Sequence, residues 1–355
     1  MNNNLQSNQQ QNRDDAQNLL RLADKKLTGN EVEKTQVSVV VINCGHKPAG
    51  NFSLESLSKQ HFLDFETIVV NGDDDRQCAM DISKNSPSAN VFHCPEQVSV
   101  SQARNLASKA ALGKYLLFLD SDAWLHKTTL GKLVEVLESQ EEAGIAGPII
   151  LNEDRSLKSI GMNIDEFGQP FANNEPFKAD VDYIDTAFFV PSSVFMIERQ
   201  LFVSLNGFDE LYVHGLEDAD LCWRAKLMGR QTIVNPWSIA YHNPQEQIVS
   251  NRYLQRRNGL RMLIKNYGAF RAITRSLGFV KTSVVQSFKS LLFLKPRQFT
   301  EYWKALFWNL RMLPDSIRQR RHVQRRRRLD DKSVLLNMRT NDADTPDNQT
   351  SDRAA

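Results

Sequence analysis

Cysteine is scarce in this chain: Cys44, Cys78, Cys94 and Cys222 are scattered over 355 residues and form no Cys-x-x-Cys pair. Neither a zinc site nor a disulfide framework is indicated, and a reducing cytoplasm fits. Long apolar runs are missing too, with none reaching the roughly 18 residues that span a bilayer. The amino terminus, Met1-Asn2-Asn3-Asn4 and then a Gln/Asn-rich run, lacks the basic start and apolar block of a secretory peptide. The protein is therefore expected to stay where it is made. Residues 1–36 and 331–355 are polar, nearly without apolar clusters, and are expected as disordered tails.

Charge of one sign is almost absent from one region. Residues 250–328 hold 20 Lys/Arg against only Glu301 and Asp315, whereas the remainder has 24 basic and 40 acidic residues. The split predicts a C-terminal module, residues 246–330, that meets an anionic surface, lipid or nucleic acid. Leu277, Val280, Val284, Phe288, Leu291 and Leu292 recur at helical intervals there, with Phe299, Tyr302, Trp303, Phe307 and Trp308 as interfacial aromatics. Arg318, Arg320, Arg321 and Arg325 to Arg328 can meet anionic head groups. An amphipathic helix lying in the membrane interface is expected; the alternative is that this face packs on the rest of the protein. No nucleic-acid module is recognisable.

What is present upstream alternates. Val37-Ser38-Val39-Val40-Val41-Ile42 and Thr67-Ile68-Val69-Val70 read as buried strands, with Leu54 and Leu57 at helical spacing between them. A short strand over 90–93 precedes a helical face at Val100, Ala103, Leu106, Ala107 and Ala110 that ends at Gly113. A strand over 116–119 follows, then a helix over 130–137 and a strand over 144–151, in which Pro148 predicts an edge or a break. Further strands are expected over 187–197, 232–234 and 237–241, with a helix over 217–228. The pattern predicts an α/β fold with a mainly parallel sheet flanked by helices, whose ligands sit beyond the carboxyl ends of the strands.

At such an end stands Asp120-Ser121-Asp122. Residues two apart in extended backbone point the same way, so both carboxylates can converge on one divalent cation that cancels charge on a diphosphate. The bland alternative is an Asp-rich turn. A second acidic cluster, Glu217-Asp218-Ala219-Asp220, opens a helix, where capping accounts for one acid but hardly three.

With Leu221-Cys222-Trp223-Arg224 after it, this patch resembles the Glu-Asp-x-Asp-Leu-Cys-x-Arg signature of family 2 glycosyltransferases of the GT-A fold. Arg104-Asn105-Leu106-Ala107, the block from Gly113 through Asp122-Ala123, Gly207-Phe208-Asp209-Glu210 and Tyr241-His242 match the same family in order, so the likeness covers about residues 37–245. Residues 37–125 then form the nucleotide-binding half and 126–245 the acceptor half. Tyr241-His242, the later Arg257-Asn258 and the basic helical tail make the chain resemble rhamnosyltransferase-type enzymes of bacterial envelope polysaccharide synthesis.

The resemblance implies an inverting, metal-dependent transfer of sugar from a nucleotide-diphosphate donor to a hydroxyl of a glycan or lipid-linked acceptor. Asp218 is then the candidate base, with Glu217 second. Mg²⁺ or Mn²⁺ is held by Asp122, with His242 completing the shell or contacting the diphosphate and Asp120 contacting ribose or a metal-bound water. Asn43, Asn71, Asp73 and Arg104 are expected around the nucleotide. Asn71 replaces the family's usual Asp and leaves UDP, dTDP and GDP open. The simpler accounts are a helix cap for Asp218, a hydrogen-bonded strand-end histidine for His242, an ion pair for Asp220 and Arg224, and a surface pairing of Arg104 with the acids at 73–75. The rival function is a non-catalytic sugar-nucleotide-fold protein that uses its Arg-rich tail to hold an anionic surface. The sequence predicts a peripheral protein on the cytoplasmic face of the inner membrane.

Overall fold

The computed structural model describes residues 35–43, 52–71, 82, 86–93, 98–172, 185–243 and 252–335. Asp73, Cys44, Cys78 and Cys94 lie outside them, and Asn43 is described by its backbone. The β-branched run Val37–Asn43 is strand β1, and Phe65–Asn71, Asn90–His93 and Tyr115–Asp120 are β2, β3 and β4. These four lie parallel in the order β3-β2-β1-β4. Within β1, Val40 and Ile42 face one core while Val37, Val39 and Val41 face another. Burial on both faces is why the run does not alternate with polar residues. Helix α1 (Phe52–Ser58) and helix α3 (Thr129–Ser139) cover one face; α2 (Val100–Ala110), started by a Ser99–Gln102 capping box, covers the other.

The second half adds β5 (Ala123–Leu125), β6 (Ala143–Leu151), β7 (Leu157–Ser159), a β8 (Met162–Ile164) and β9 (Pro170–Ala172) hairpin, β10 (Asp185–Thr186), β11 (Val194–Glu198) and β12 (Gln231–His242). Helices α4 (Arg199–Ser204) and α5 (Glu217–Leu227) lie between β11 and β12. The sheet is mixed: β11 runs antiparallel between β4 and β6, so the parallel β6–β12 pair is separated from the first parallel group. Pro148 corrects the expectation of an edge. β6 is interior, and β12 shifts register between Asn235, opposite Pro148, and Ile239, so the missing N–H falls at a bulge. The same bulge joins the two strands expected at 232–241 into one. The strand expected from 187 begins at Val194, because Pro191, Ser192 and Ser193 interrupt it.

Beyond residue 251 come α6 (Arg252–Asn266), α7 (Ala269–Leu292), α8 (Pro296–Arg311), α9 (Leu313–Arg326) and α10 (Asp331–Leu335). Helix α6 packs against α5, α7, α8 and α9 and is buried from Arg257 onward except at Ile264. Residues 331–335, at the start of the stretch expected as a polar tail, form α10 and bury Val334. Among the described residues no helix is long and apolar enough to cross a membrane.

Candidate active site

Strand register sets the first row of the site. Ile42 aligns with Asp120, and Asn43 with Asn71, so three polar residues stand at the carboxyl ends of the adjacent strands β2, β1 and β4. Asn71 is fully buried there. The turn after β4 carries Asp122 into β5, which pairs antiparallel with the end of β12 and aligns Ala123 with His242. Trp124 and Tyr241 stack across that pairing, with centroids 5.4 Å apart at 14°. The result is His242 Nε2 at 3.2 Å from Asp122 Oδ1.

The second acidic cluster is linked to the first through Arg104. Its Nη2 donates to Asp120 Oδ1 at 2.6 Å and to the Ser192 carbonyl at 2.9 Å, and its Nη1 lies 3.8 Å from Glu217 Oε1. Arg104 is only 1% exposed. It ties the end of β4 to the start of α5, with Asp120 and Glu217 as its acidic partners among the described residues. Ser192 completes this junction, donating its N–H to Asp218 Oδ2 at 3.0 Å and its hydroxyl to Glu217 Oε1 at 3.1 Å. Asp218 Oδ1 also accepts the N–H of the next residue, Ala219, at 2.8 Å. Each carboxylate oxygen keeps a further lone pair.

These surroundings separate the carboxyls. Burial, reinforced by Glu217, pushes Asp218 up to about 7, while two backbone N–H bonds and Arg104 pull the other way. Burial also raises Asp120, offset by Arg104 and reinforced by Asp122. Glu217 Oε2 is buried and makes no hydrogen bond among the described residues.

Asp220 turns elsewhere. Arg224 Nε donates to it at 2.8 Å, the ion pair expected from their spacing, and Lys265 and Asn266 of α6 donate as well. Asp209 accepts from Arg261 and Lys265, Asn105 bonds the backbone of Phe208 in both directions, and Arg224 Nη1 holds the carbonyls of Leu205 and Gly207. A Cβ on Gly207 would stand 2.5 Å from Asn105 Oδ1. The Gly207-Phe208-Asp209-Glu210 motif is thus a framework turn. Arg257 holds the Leu211 carbonyl and Asn258 those of His214 and Gly215, just before Leu216, which has φ +68° and leads directly into Glu217. Part of the basic tail therefore braces the loop that delivers the acids. A cavity of about 590 Å³ behind this turn, lined by Asn105, Arg224 and His322, touches none of the candidate site residues.

A divalent cation fits the Asp122–His242 pair, since a carboxylate and an imidazole converge there; the remaining positions would fall to diphosphate oxygens and water. No group of three or more His, Cys, Asp or Glu able to hold a metal occurs among the described residues. Sequence reasoning missed Lys158 on β7, whose Nζ is 3.0 Å from His242 Nδ1 and 3.1 Å from its carbonyl. An ammonium donating to Nδ1 leaves the ring proton on Nε2, facing Asp122, so ligation through Nε2 requires Lys158 to turn away.

Residues 38–201 match the model of Glycosyl transferase family 2. A pre-mycofactocin glycosyltransferase of Mycobacterium tuberculosis is 26% identical over 163 residues, 44% of this chain and 33% of that protein. The chain spans about a third of the length of the curated relatives it matches. Among solved structures, GalNAc-T7 with UDP, GalNAc and Mn²⁺ superposes with TM-score 0.56 at 15% identity, covering 68% of this chain and 50% of that one. S. aureus TarS 1-349 in complex with UDP-GlcNAc gives 0.52 at 17%, covering 76% and 79%. Over residues 38–201, on a sheet whose Asp120 is joined through Arg104 to Glu217, the chain carries a family 2 glycosyltransferase domain of the GT-A fold.

Proposed function

We propose that the protein transfers a sugar from a nucleotide-diphosphate donor to a hydroxyl of a glycan or lipid-linked acceptor, with inversion, in cell-envelope polysaccharide synthesis. The observation that carries the reading is the buried Arg104, whose guanidinium reaches both Asp120 and Glu217 and so links the two acidic clusters.

An acceptor hydroxyl has a pKa far above neutrality and needs a base in hydrogen-bond reach. Asp218, raised to about 7, accepts that proton as the alcohol oxygen bonds to the anomeric carbon and the bond to the diphosphate breaks. A single displacement inverts the centre. Ser192 and Ala219 hold the carboxylate in place through their N–H groups. Glu217, turned inward onto Ser192, acts through its charge on Asp218 and not as the base. Asp122 and His242, the latter once Lys158 turns away, would hold Mg²⁺ or Mn²⁺, which would neutralise charge on the leaving diphosphate. Asn43, Asn71, Asp73, Arg104 and Asp120 form the nucleotide side, and the C-terminal helices place the protein against the cytoplasmic face of an anionic membrane.

The likeness to structures holding UDP with Mn²⁺ and UDP-GlcNAc supports a metal and a uridine donor. A panel of nucleotide sugars assayed for turnover with Mg²⁺ and Mn²⁺ tests the reading. Asp122→Ala should abolish turnover, and Asp218→Asn should abolish transfer while retaining donor binding. Donor binding without turnover across acceptors in the wild type would favour the non-catalytic alternative.

A further inference from the structure

Helix α7 is inside out for a helix washed by water. Its buried positions are Ala272, Phe279, Ser283, Ser287 and Ser290. Its exposed ones include Phe270, Ile273, Leu277, Val285, Phe288, Leu291 and Leu292. The outward residues 270, 273, 277, 285, 288 and 292 follow helical spacing along one stripe, interrupted at Lys281. The inward serines bond their own helix, Ser283 to the Phe279 carbonyl at 2.8 Å and Ser287 to that of Val284 at 2.7 Å, so they require no solvent and permit close packing. The stripe runs into the turn between α7 and α8, where Leu292, Phe293 and Leu294 are 81%, 72% and 88% exposed. Leu294 also has φ +55°, at a place where a water-facing turn would carry Gly or Asn. Phe307 and Leu310 of α8 add to the exposed apolar surface.

We infer that the α7–α8 hairpin is a shallow membrane anchor: its stripe and the 292–294 tip enter the acyl boundary of an anionic bilayer while the surrounding lysines and arginines meet phosphates. This deepens the membrane partner proposed above. Residues 269–311 contain eight Lys/Arg and Glu301 as their one acid, and Glu301 lies 3.3 Å from Arg297 and 3.8 Å from Arg252. A symmetric contact with a second copy would set like charges against each other, whereas anionic lipid complements them. The helix lies in the interface, not across it. The tip, not the arginine-rich α9, is the inserting element. In α9, Arg320 is committed to the carbonyls of Ile264 and Tyr267, and Arg327, just beyond it, to Asp331.

The full chain is sedimented with phosphatidylglycerol-containing and purely phosphatidylcholine vesicles, at low and high salt, without donor or acceptor. The wild type should bind the anionic vesicles and keep a salt-resistant fraction. A variant with Leu292→Ser, Phe293→Ser and Leu294→Ser should lose at least roughly tenfold in partitioning with an unchanged thermal melt. Phe293→Trp should gain fluorescence quenching by lipids brominated in the acyl chain, relative to the parent. Equal partitioning of the triple variant, complete release by salt, or a wild-type dimer in the absence of vesicles that the triple variant dissolves would each overturn the proposal. No turnover is read, so this failure is distinguishable from failure of the catalytic reading.

Discussion

Asp218→Asn removes a charge that the cleft disfavours, and its effect on stability should reverse with pH. Burial and Glu217 raise the carboxyl from its ordinary 3.8 to about 7. At about 1.4 kcal/mol per pH unit this sets a ceiling of about 4 kcal/mol, which partial solvent access reduces to about 2 kcal/mol. The sign follows from proton counting. Below about pH 4 the group is protonated in both folded and unfolded chains and costs nothing; between about 4 and 7 the unfolded chain releases its proton first, so the wild type loses stability as pH rises, with the full loss above 7. Asparagine keeps the shape but presents one amide NH₂ to a backbone donor, forfeiting one of the bonds from Ser192 or Ala219 at about 1 kcal/mol. The variant should therefore be less stable than wild type by about 1 kcal/mol at pH 4 and more stable by about 1 kcal/mol at pH 8. Urea unfolding of both proteins across that range measures the difference directly. A difference that stays flat with pH would mean that Asp218 is an ordinary solvated carboxylate, and the argument for a base poised near neutrality would fail.

Three further outcomes follow from other parts of the structure. Gly113→Ala places a Cβ 2.5 Å from the Ser38 nitrogen and 2.7 Å from the Val37 carbonyl carbon, backbone atoms that cannot yield, and should cost about 1–3 kcal/mol in denaturant unfolding. Lys265→Met strips a partner from both Asp209 and Asp220 and should cost about 3 kcal/mol at pH 7; because Lys265 and Arg261 hold Asp209 well below the carboxylate range, the deficit should shrink as pH falls below about 4. Lys158→Met frees His242 Nδ1 to carry the ring proton, so Mn²⁺ affinity measured by electron paramagnetic resonance should rise, whereas Asp122→Ala should abolish it.

The parts of this molecule legible in sequence are those where burial or local chain geometry decides. Strand β1 and strand β4 are covered on both faces, so their apolar runs announced them, and Ser99 to Gly113 carried both its start and its stop. Asp120 and Asp122 could be placed because they follow such a run directly. Pairing across long separations was not legible. Nothing in the local pattern around Arg104 announces that it joins two carboxylates 16 and 113 positions away, and Lys158 meets His242 only because β7 pairs with β6 and β6 with β12.

The basic C-terminal segment shows the same limit in its most consequential form. Counting charge treats Arg257, Arg261, Lys265 and Arg318 alike, yet the first three are buried within α6 and hold the Leu211 carbonyl, Asp209 and Asp220, while Arg318 is 76% exposed. Two environments are superposed on one composition. The buried cations fix the turn and the loop that lead into Glu217 and Asp218; the exposed Arg318 pairs only locally, with Asp315. Removing a buried cation should disturb the fold at helix α5, and removing an exposed one should leave that helix untouched, so a loss of stability in urea unfolding should follow the buried cations and not the exposed ones.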